Sequence, residues 1–175
     1  MADSGISPEL KGEQVRLTPT VESDGPRLRE IHSTLDVSEW WDMPDPGFPM
    51  TDEPESTRFT IRLGDEIVGL VQYGEEDEPK YRHAWMDIFV EPAFHGRGFG
   101  SEALTMLLRH LVEDRGHHRV TIDPAAHNEA AVACYRKVGF TPVGVMRKAE
   151  RDFGGGGWHD SLMMEFVVEP SSGTE

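Results

Sequence analysis

The sequence is poor in cysteine and contains no long apolar run. Its single cysteine, Cys134, cannot close an internal disulfide, which agrees with a reducing compartment. No apolar stretch reaches the roughly 18 residues that cross a bilayer. The amino terminus lacks a basic patch followed by an apolar segment, which is the pattern of a secretion signal. We therefore expect a cytoplasmic protein without a membrane partner.

Positive charge is also scarce. Lysine and arginine number 17 against 32 aspartates and glutamates, which gives a formal net charge of -15. This charge repels a phosphate backbone, so we expect no nucleic-acid partner. The same field attracts cations, above all where carboxylates line a cleft. The alternative is that the acidic surface only keeps the protein soluble.

The arrangement of histidine and cysteine argues against two further kinds of site. The chain has 8 histidines, but no set of His, Cys and Asp has the spacing of a zinc site, so we predict no metal. Cys134 lies in a predicted helix without an activating neighbour. A covalent cysteine intermediate is therefore not expected.

Length and apolar pattern together predict one domain. A chain of 175 residues can bury most of its surface in a single core. We expect the domain to cover residues 1–175, with a core from about residue 12 to 169. The ends, at residues 1–8 and 170–175, are small and polar, so we expect them to be flexible.

Periodic apolar segments predict a sheet with helices on its faces. Strands are predicted at residues 14–18, 57–63, 67–73, 84–90, 119–123, 141–146 and 161–168. Helices are predicted at residues 101–116, at residues 128–138, and after Asp24 with an apolar face of Leu28, Ile31 and Leu35. Residues 38–55 have no clear period and are predicted to be a structured loop or short helical turns. The order βαβββαβαββ indicates a mixed α/β (α+β) fold.

A glycine-rich turn at residues 95–100 joins a predicted strand to the helix that starts at Ser101. Backbone N–H groups at such a helix start, together with the helix dipole, favour an anion. Glycine lets the backbone approach a ligand closely, and Arg97 can add a charge-assisted contact. A dinucleotide fingerprint needs a glycine where Ser101 stands, and the P-loop lysine is absent. The turn predicts a phosphate site, with an ordinary strand-to-helix turn as the alternative.

The surroundings of this turn resemble the GNAT superfamily of acetyltransferases. The resemblance covers about residues 15–168, and it is carried mainly by residues 87–92 (DIFVEP), the turn, residues 121–124 (TIDP) and residues 128–140 (NEAAVACYRKVGF). It implies a mixed, mostly antiparallel central sheet of about seven strands with helices on both faces, and acetyl-CoA as the cofactor. The family usually has Gln or Arg where this chain has His95.

The resemblance also implies which residues bind the cofactor. The turn would hold the coenzyme A pyrophosphate, Asn128 would contact or orient the pantetheine arm, and a strand N–H near Phe89 or Val90 would polarise the thioester carbonyl. Tyr135 would give a proton to the departing thiolate, since a phenol with a pKa near 10 stays protonated where a thiol with a pKa of about 8.5 leaves. The alternative for Tyr135 is a core residue. The predicted cofactor-binding residues are Phe89, Val90, His95, Gly96, Arg97, Gly98, Phe99, Gly100, Ser101, Asn128 and Tyr135.

Within the superfamily, the sequence is most similar to aminoglycoside 6'-N-acetyltransferases. That similarity rests on Asp87, eight residues before the turn, and on Asp123 ahead of the segment from Asn128 to Tyr135. It implies that Asp87, Asp123 and Tyr135 are the catalytic residues, with the two carboxylates holding an ammonium and helping to take its proton. The alternatives are a strand residue satisfied by backbone for Asp87 and a turn residue for Asp123.

Aromatic and acidic residues elsewhere predict the wall of an acceptor site. Flat apolar surface and negative charge are combined in Trp40, Trp41, Asp42, Asp45, Asp52, Glu53 and Glu55, although the tryptophans could instead cover a sheet edge. Segments 151–152 and 158–160 of the last hairpin are expected to flank the same cleft. The predicted substrate-binding residues are Trp40, Trp41, Asp42, Asp87, Asp123 and Asp160.

These resemblances imply an acetyl-CoA-dependent N-acetyltransferase that works by direct transfer. The expected acceptor is a small cationic amine, first of all the 6'-amino group of an aminoglycoside, which would make this an antibiotic-resistance enzyme. The alternatives are a polyamine, a siderophore lysine or a protein N-terminus as the acceptor, or a non-catalytic acyl-CoA sensor. Related enzymes are often dimers, so a homodimer is also an expectation.

Overall fold

The computed structural model describes residues 7–50 and 55–170. One sheet contains eight strands in the order β1-β2-β3-β4-β5-β6-β8-β7. The strands are β1 (Leu10–Lys11), β2 (Arg16–Pro19), β3 (Thr57–Leu63), β4 (Glu66–Glu76), β5 (His83–Val90), β6 (Arg119–Ile122), β7 (Thr141–Arg151) and β8 (Trp158–Val167). The α-helices are α1 (Gly25–His32), α2 (Leu35–Trp41), α3 (Phe99–Arg109, continued by a π-helical turn, His110–Asp114) and α4 (Glu129–Val138).

The sheet is mixed and mostly antiparallel, as the resemblance implies. All neighbouring strands pair antiparallel except β5 and β6, which are parallel. The strand beyond the expected seven is β1, whose two residues pair with β2. In the described ranges, no helix combines the length and the apolar character that crossing a membrane requires.

Helices cover both faces of the sheet because successive strand residues point to opposite sides. Leu70 of β4 packs with Leu28 and Ile31 of α1 on one face. The next residue, Val71, belongs to the larger core on the other face, where Leu104 and Leu107 of α3 are fully buried. The two cores sandwich the central strands and fix the position of the turn that precedes α3.

The region after α1 differs from the sequence prediction. Leu35 was expected on the apolar face with Leu28 and Ile31, but its side chain is 67% exposed because α1 ends at His32 and Leu35 begins α2. Residues 38–55, predicted to be a structured loop or short helical turns, start within the short helix α2, and residues 51–54 lie outside the described residues. Most residues of the ends that we predict to be flexible, residues 1–6 and 171–175, also lie outside the described residues.

The last hairpin is longer than its apolar period predicts. β7 continues from the predicted end at Met146 to Arg151, and β8 begins at Trp158 rather than Ser161. Register shifts at Pro142/Gly144 and at Met146/Glu150 interrupt the alternation of side chains. A β-bulge interrupts the alternation of apolar and polar residues in the sequence. The alternation therefore ends before the strand itself ends.

Strands β5 and β6 are joined over a short distance only. Ala84 pairs with Val120 and Trp85 pairs with Thr121, and no later residue of β5 pairs with β6 in the described structure. The rest of β5, up to Val90, pairs with β4 on its other side. The sheet therefore opens into a wedge beside the second half of β5.

Candidate active site

A cavity of about 770 Å³ lies at this wedge. Its volume is within the range of small-molecule and cofactor sites. The structure brings most of the predicted site residues into its lining, from α2, β5, the glycine turn, the end of β6 and α4. The predicted residues in the lining are Trp40, Trp41, Asp87, Phe89, Val90, His95, Gly96, Gly98, Phe99, Gly100, Ser101, Asp123, Asn128 and Tyr135.

The glycine turn has the shape of an anion cradle. Gly96 has φ +73° and Gly98 has φ +85°, a left-handed conformation that other residues rarely adopt. A Cβ added at either position would meet no atom within 4 Å, so both glycines border open space. Gly98 is also the N-cap of α3, where the first helical N–H groups have no partner within the helix. These features fit a pyrophosphate group.

Two side chains of the turn have roles that the sequence did not indicate. The His95 ring nitrogen Nε2 lies 2.7 Å from the Val90 carbonyl oxygen, so this imidazole fastens the turn to the end of β5. The Arg97 guanidinium lies over the rings of Phe94 and Phe99, at 5.4 and 5.0 Å from their centroids. Arg97 is not in the cavity lining, and its predicted contact with a phosphate stays a prediction.

The end of β5 offers a backbone donor to the cavity. The Glu91 N–H donates to the Val68 carbonyl, towards β4. Because the N–H groups of a strand alternate in direction, the Val90 N–H points the other way, into the wedge. This orientation agrees with the expected role of a strand N–H in polarising a carbonyl.

Tyr135 is held in α4 with its ring buried and 7% of its surface exposed. The ring packs edge-on against Phe140, with centroids 6.5 Å apart. Burial raises the pKa of its phenol well above the ordinary value, and the nearby charge of Asp87 raises it further. The phenol is therefore protonated at neutral pH and able to donate.

Asn128 and Cys134 have local explanations in the same helix. Asn128 is the N-cap of α4, where its Oδ1 accepts the Ala131 N–H at 3.1 Å. Its predicted contact with the pantetheine arm stays a prediction beside this capping role. Burial raises the pKa of the Cys134 thiol, so the sulfur is neutral and a poor nucleophile.

The two predicted aspartates face the cavity from neighbouring strands. Asp123 follows the last residue of β6, and burial raises the pKa of its carboxyl despite a backbone hydrogen bond that opposes the shift. Asp87 lies on β5, and its Oδ1 accepts the Ile88 N–H at 2.9 Å. Both charges act on Tyr135, which sets two carboxyl groups and one phenol around the same space.

Two predicted acceptor residues lie outside the lining. The Asp160 carboxylate accepts the Lys148 N–H at 2.8 Å, within the hairpin. Asp42 ends α2 with φ +59°, and its charge is near enough to raise the pKa of Glu150. Their substrate contacts stay predictions.

Three acidic residues line the cavity that the sequence did not predict there, which are Asp36, Glu39 and Glu150. Asp36 and Glu39 belong to α2, and Glu39 lies in the segment 38–55, which has no clear period. Glu150 follows the β-bulge of β7, beyond the predicted end of the strand. Burial raises the pKa of Glu150 in spite of the opposing charge of His159, and Asp123 raises it further.

Comparison with known proteins identifies the family of this chain. The Acetyltransferase (GNAT) family matches residues 20–140. The N-alpha-acetyltransferase RimI of Mycobacterium tuberculosis is 30% identical over 143 residues, which are 79% of this chain and 86% of RimI. The mycothiol acetyltransferase of Corynebacterium efficiens is 33% identical over 78 residues, 45% of this chain and 25% of that protein.

Solved structures share the fold. RimL, a ribosomal L7/L12 alpha-N-protein acetyltransferase in complex with coenzyme A, has a TM-score of 0.76 at 20% identity and covers 92% of this chain and 98% of its own. A putative acetyltransferase from T. thermophilus has a TM-score of 0.79 at 22% identity and covers 93% and 90%. The narrower resemblance to aminoglycoside 6'-N-acetyltransferases stays a prediction. The chain belongs to the acetyltransferase (GNAT) family, and it is an acetyltransferase that uses acetyl-CoA.

Proposed function

We propose that this chain, as a single domain, transfers the acetyl group of acetyl-CoA to the α-amino group of a polypeptide. The observation that carries the proposal is the meeting of Tyr135 and Asp123 at one cavity, a protonated phenol and a buried carboxyl with a raised pKa. The choice of acceptor is supported by RimI, an N-alpha-acetyltransferase that this chain matches over 86% of its length.

The proposed cofactor site is the glycine turn together with the end of β5. Acetyl-CoA supplies a thioester whose carbonyl carbon accepts an amine. The N–H groups around Gly96 and Gly98 would bind its pyrophosphate, since their backbone borders open space at the start of a helix. The Val90 N–H would bind the carbonyl oxygen and stabilise the charge that develops there.

The proposed acid and base are set by their surroundings. Asp123 would take a proton from the acceptor nitrogen, because a carboxyl with a raised pKa is a better base than an ordinary aspartate. Asp87 would hold the ammonium by its charge. Tyr135 would give its proton to the leaving sulfur, because its burial keeps the phenol protonated.

A second acceptor class is favoured by the charge of the cavity. Five carboxyl side chains line it, which are Asp36, Glu39, Asp87, Asp123 and Glu150, and Trp40 and Trp41 lie beside them. An aminoglycoside carries several ammonium groups and would be attracted by this concentration of negative charge. A polypeptide has one α-ammonium group at this end, so the negative charge of the cavity attracts it less strongly than it attracts an aminoglycoside.

An acceptor screen tests both candidates. Purified protein is incubated with acetyl-CoA and, separately, a short peptide with a free α-amino group, the same peptide blocked at that group, kanamycin and spermidine. Free thiol is measured and the products are identified by mass spectrometry. We expect the free peptide to be acetylated and the blocked peptide to be inert. Acetylation of kanamycin alone would transfer the assignment to the second class.

The screen needs a control that separates catalysis from folding. Tyr135→Phe is compared with Tyr81→Phe, since Tyr81 is 64% exposed and outside the cavity lining. Thiol release should fall with the first change and persist with the second. If none of the four compounds causes acetyl-CoA to release its thiol, both acceptor classes are rejected.

A further inference from the structure

The hairpin formed by β7 and β8 holds a row of three ionisable side chains. The Asp152 carboxylate lies 2.9 Å from Nδ1 of His159, and Nε2 of the same ring lies 3.5 Å from Glu150 Oε2. A histidine with a carboxylate on each ring nitrogen can accept a proton on one side while the other side orients and stabilises the ring. Glu150, at one end of the row, lines the cavity.

A β-bulge produces this arrangement. Met146 pairs with Ser161 and Glu150 pairs with His159, so four steps along β7 match two steps along β8. Lys148, within the bulge, has φ +49°, and its N–H donates to Asp160 at 2.8 Å. The bulge makes Glu150 and His159 direct cross-strand neighbours.

The glycine tract at residues 154–157 fixes the other end of the row. The Asp152 N–H donates to the Gly157 carbonyl at 3.0 Å, and the Gly155 N–H donates to the Asp152 carbonyl at 2.8 Å. A Cβ at Gly157 would lie 2.6 Å from Asp152 Oδ2. The absence of a side chain there leaves room for the carboxylate beside His159.

The row joins the cavity to the surface of the hairpin. The Glu150 side chain is 48% exposed and lines the cavity that the substrates would fill, the His159 side chain is 14% exposed, and that of Asp152 is 45% exposed. From other elements, Asp123 at the end of β6 and Asp42 at the end of α2 act on Glu150 by their charge. The His127 ring, ahead of α4, packs edge-on against His159 with centroids 5.3 Å apart.

We infer that Glu150, His159 and Asp152 form a proton outlet for the acceptor amine, an inference that rests on the proposed function. An ammonium loses two protons when it becomes an amide. As the bond from nitrogen to the acetyl carbon forms and the bond from that carbon to sulfur breaks, Tyr135 supplies the proton that sulfur gains, and one of the two protons replaces it. Asp123 takes the other proton as the base and passes it to Glu150, which gives it to His159 Nε2, and water removes it from the imidazolium.

Asp152 acts in this scheme as a positioning residue. It accepts the Nδ1–H of His159, which leaves Nε2 facing Glu150 as the acceptor, and it stabilises the imidazolium that forms. In Asp152→Asn the side chain is neutral and its NH2 group can donate to His159 Nδ1. The variant therefore removes the negative charge and no longer fixes the tautomer of His159.

The test compares His159→Gln and Asp152→Asn with Asp114→Asn. Asp114 is a matched control, because its exposed carboxylate also faces a histidine Nδ1, that of His110 at 2.7 Å, and it lies outside the cavity lining. Turnover is measured against pH with acetyl-CoA and the free-amine peptide or kanamycin. We expect kcat to fall about 10-fold or more in the two outlet variants, with little change in KM for the acceptor. Asp152→Glu should recover part of the loss.

A second measurement does not depend on turnover. Titration of the Glu150 carboxyl by ¹³C NMR should give a higher pKa in His159→Gln than in the wild type, because the charge of His159 lowers it. The acidic limb of the pH–rate profile should move to higher pH with it, since Glu150 then stays protonated to higher pH. Asp114→Asn should move neither.

The outcomes separate this inference from the proposed function. If the wild type acetylates an amine but the outlet variants keep its kcat and its acidic limb, the outlet is rejected and the acetyltransferase assignment stands. A fall in kcat that merely follows a lower melting temperature also rejects it. If the wild type acetylates none of the amines, the proposed function fails and the outlet fails with it.

Discussion

Replacement of Gly98 by alanine isolates the part of the glycine turn that serves the ligand. Gly98 has φ +85° and Gly64, in the turn between β3 and β4, has φ +60°. A Cβ at either position would meet no protein atom within 4 Å. The two positions therefore share the same backbone strain, but Gly98 lines the cavity and Gly64 does not.

The magnitudes follow from this comparison. A left-handed conformation costs an alanine about 1–2 kcal/mol. For a chain of this size each kcal/mol lowers the melting temperature by about 2–4 °C, so both variants should melt roughly 2–8 °C below the wild type. In Gly98→Ala the new methyl group also enters the space expected for the pyrophosphate. We expect the Kd for coenzyme A to rise about 10-fold or more, which corresponds to about 1.4 kcal/mol.

Calorimetric titration with coenzyme A, at a temperature where all three proteins are folded, measures this difference. Thermal melts of the same samples supply the stability control. Equal coenzyme A affinity in Gly98→Ala, Gly64→Ala and the wild type would refute the assignment of the turn to the cofactor. An equal loss of affinity in both variants would instead attribute the effect to stability.

Three further predictions concern the chemistry and the core. Tyr135→Phe should lower kcat about 10²- to 10⁴-fold while the Kd for coenzyme A stays within about 2-fold, because the ring keeps its packing and only the acid is lost; rapid-quench turnover and titration measure the two. In the wild type, kcat/KM should fall as the pH falls through the pKa of Asp123, which burial raises above the ordinary value, and Asp123→Asn should remove this part of the fall at a cost of about 100-fold in rate. Leu107→Ala should lower the free energy of unfolding by about 2–5 kcal/mol, since Leu107 is fully buried in the core, whereas Leu35→Ala at a 67% exposed position should change it by less than about 0.5 kcal/mol in urea titrations.

The regular elements and the centre of the site could be predicted because each depends on local pattern. The strand at Thr57–Leu63 and the long apolar stripe of α3 have clean periods, and the structure has both. Asp123 and Tyr135 line the same cavity because Asp123 follows β6, a strand beside the wedge, and Tyr135 lies in α4, the next helix along the chain. These relations follow from chain order and the resemblance together.

The acceptor side was less accessible to sequence reasoning because it depends on irregular backbone. α2 is a helix of only seven residues, too short for its period to be recognised in the sequence, and it presents Asp36, Glu39 and both tryptophans to the cavity. Glu150 is aimed by a bulge that no periodicity reveals. Asp160, whose contact with the substrate stays a prediction, accepts the Lys148 N–H within that bulge.

The short seam between β5 and β6 has a mechanical consequence for the enzyme. Two residue pairs join the five strands on one side of the wedge to the three on the other, so few main-chain bonds resist a change in its angle. The packing of α3 and α4 against both groups of strands then sets how wide the cleft stands. Substitutions within that packing, far from any reacting atom, should therefore change the width of the cleft and with it the affinity for both substrates.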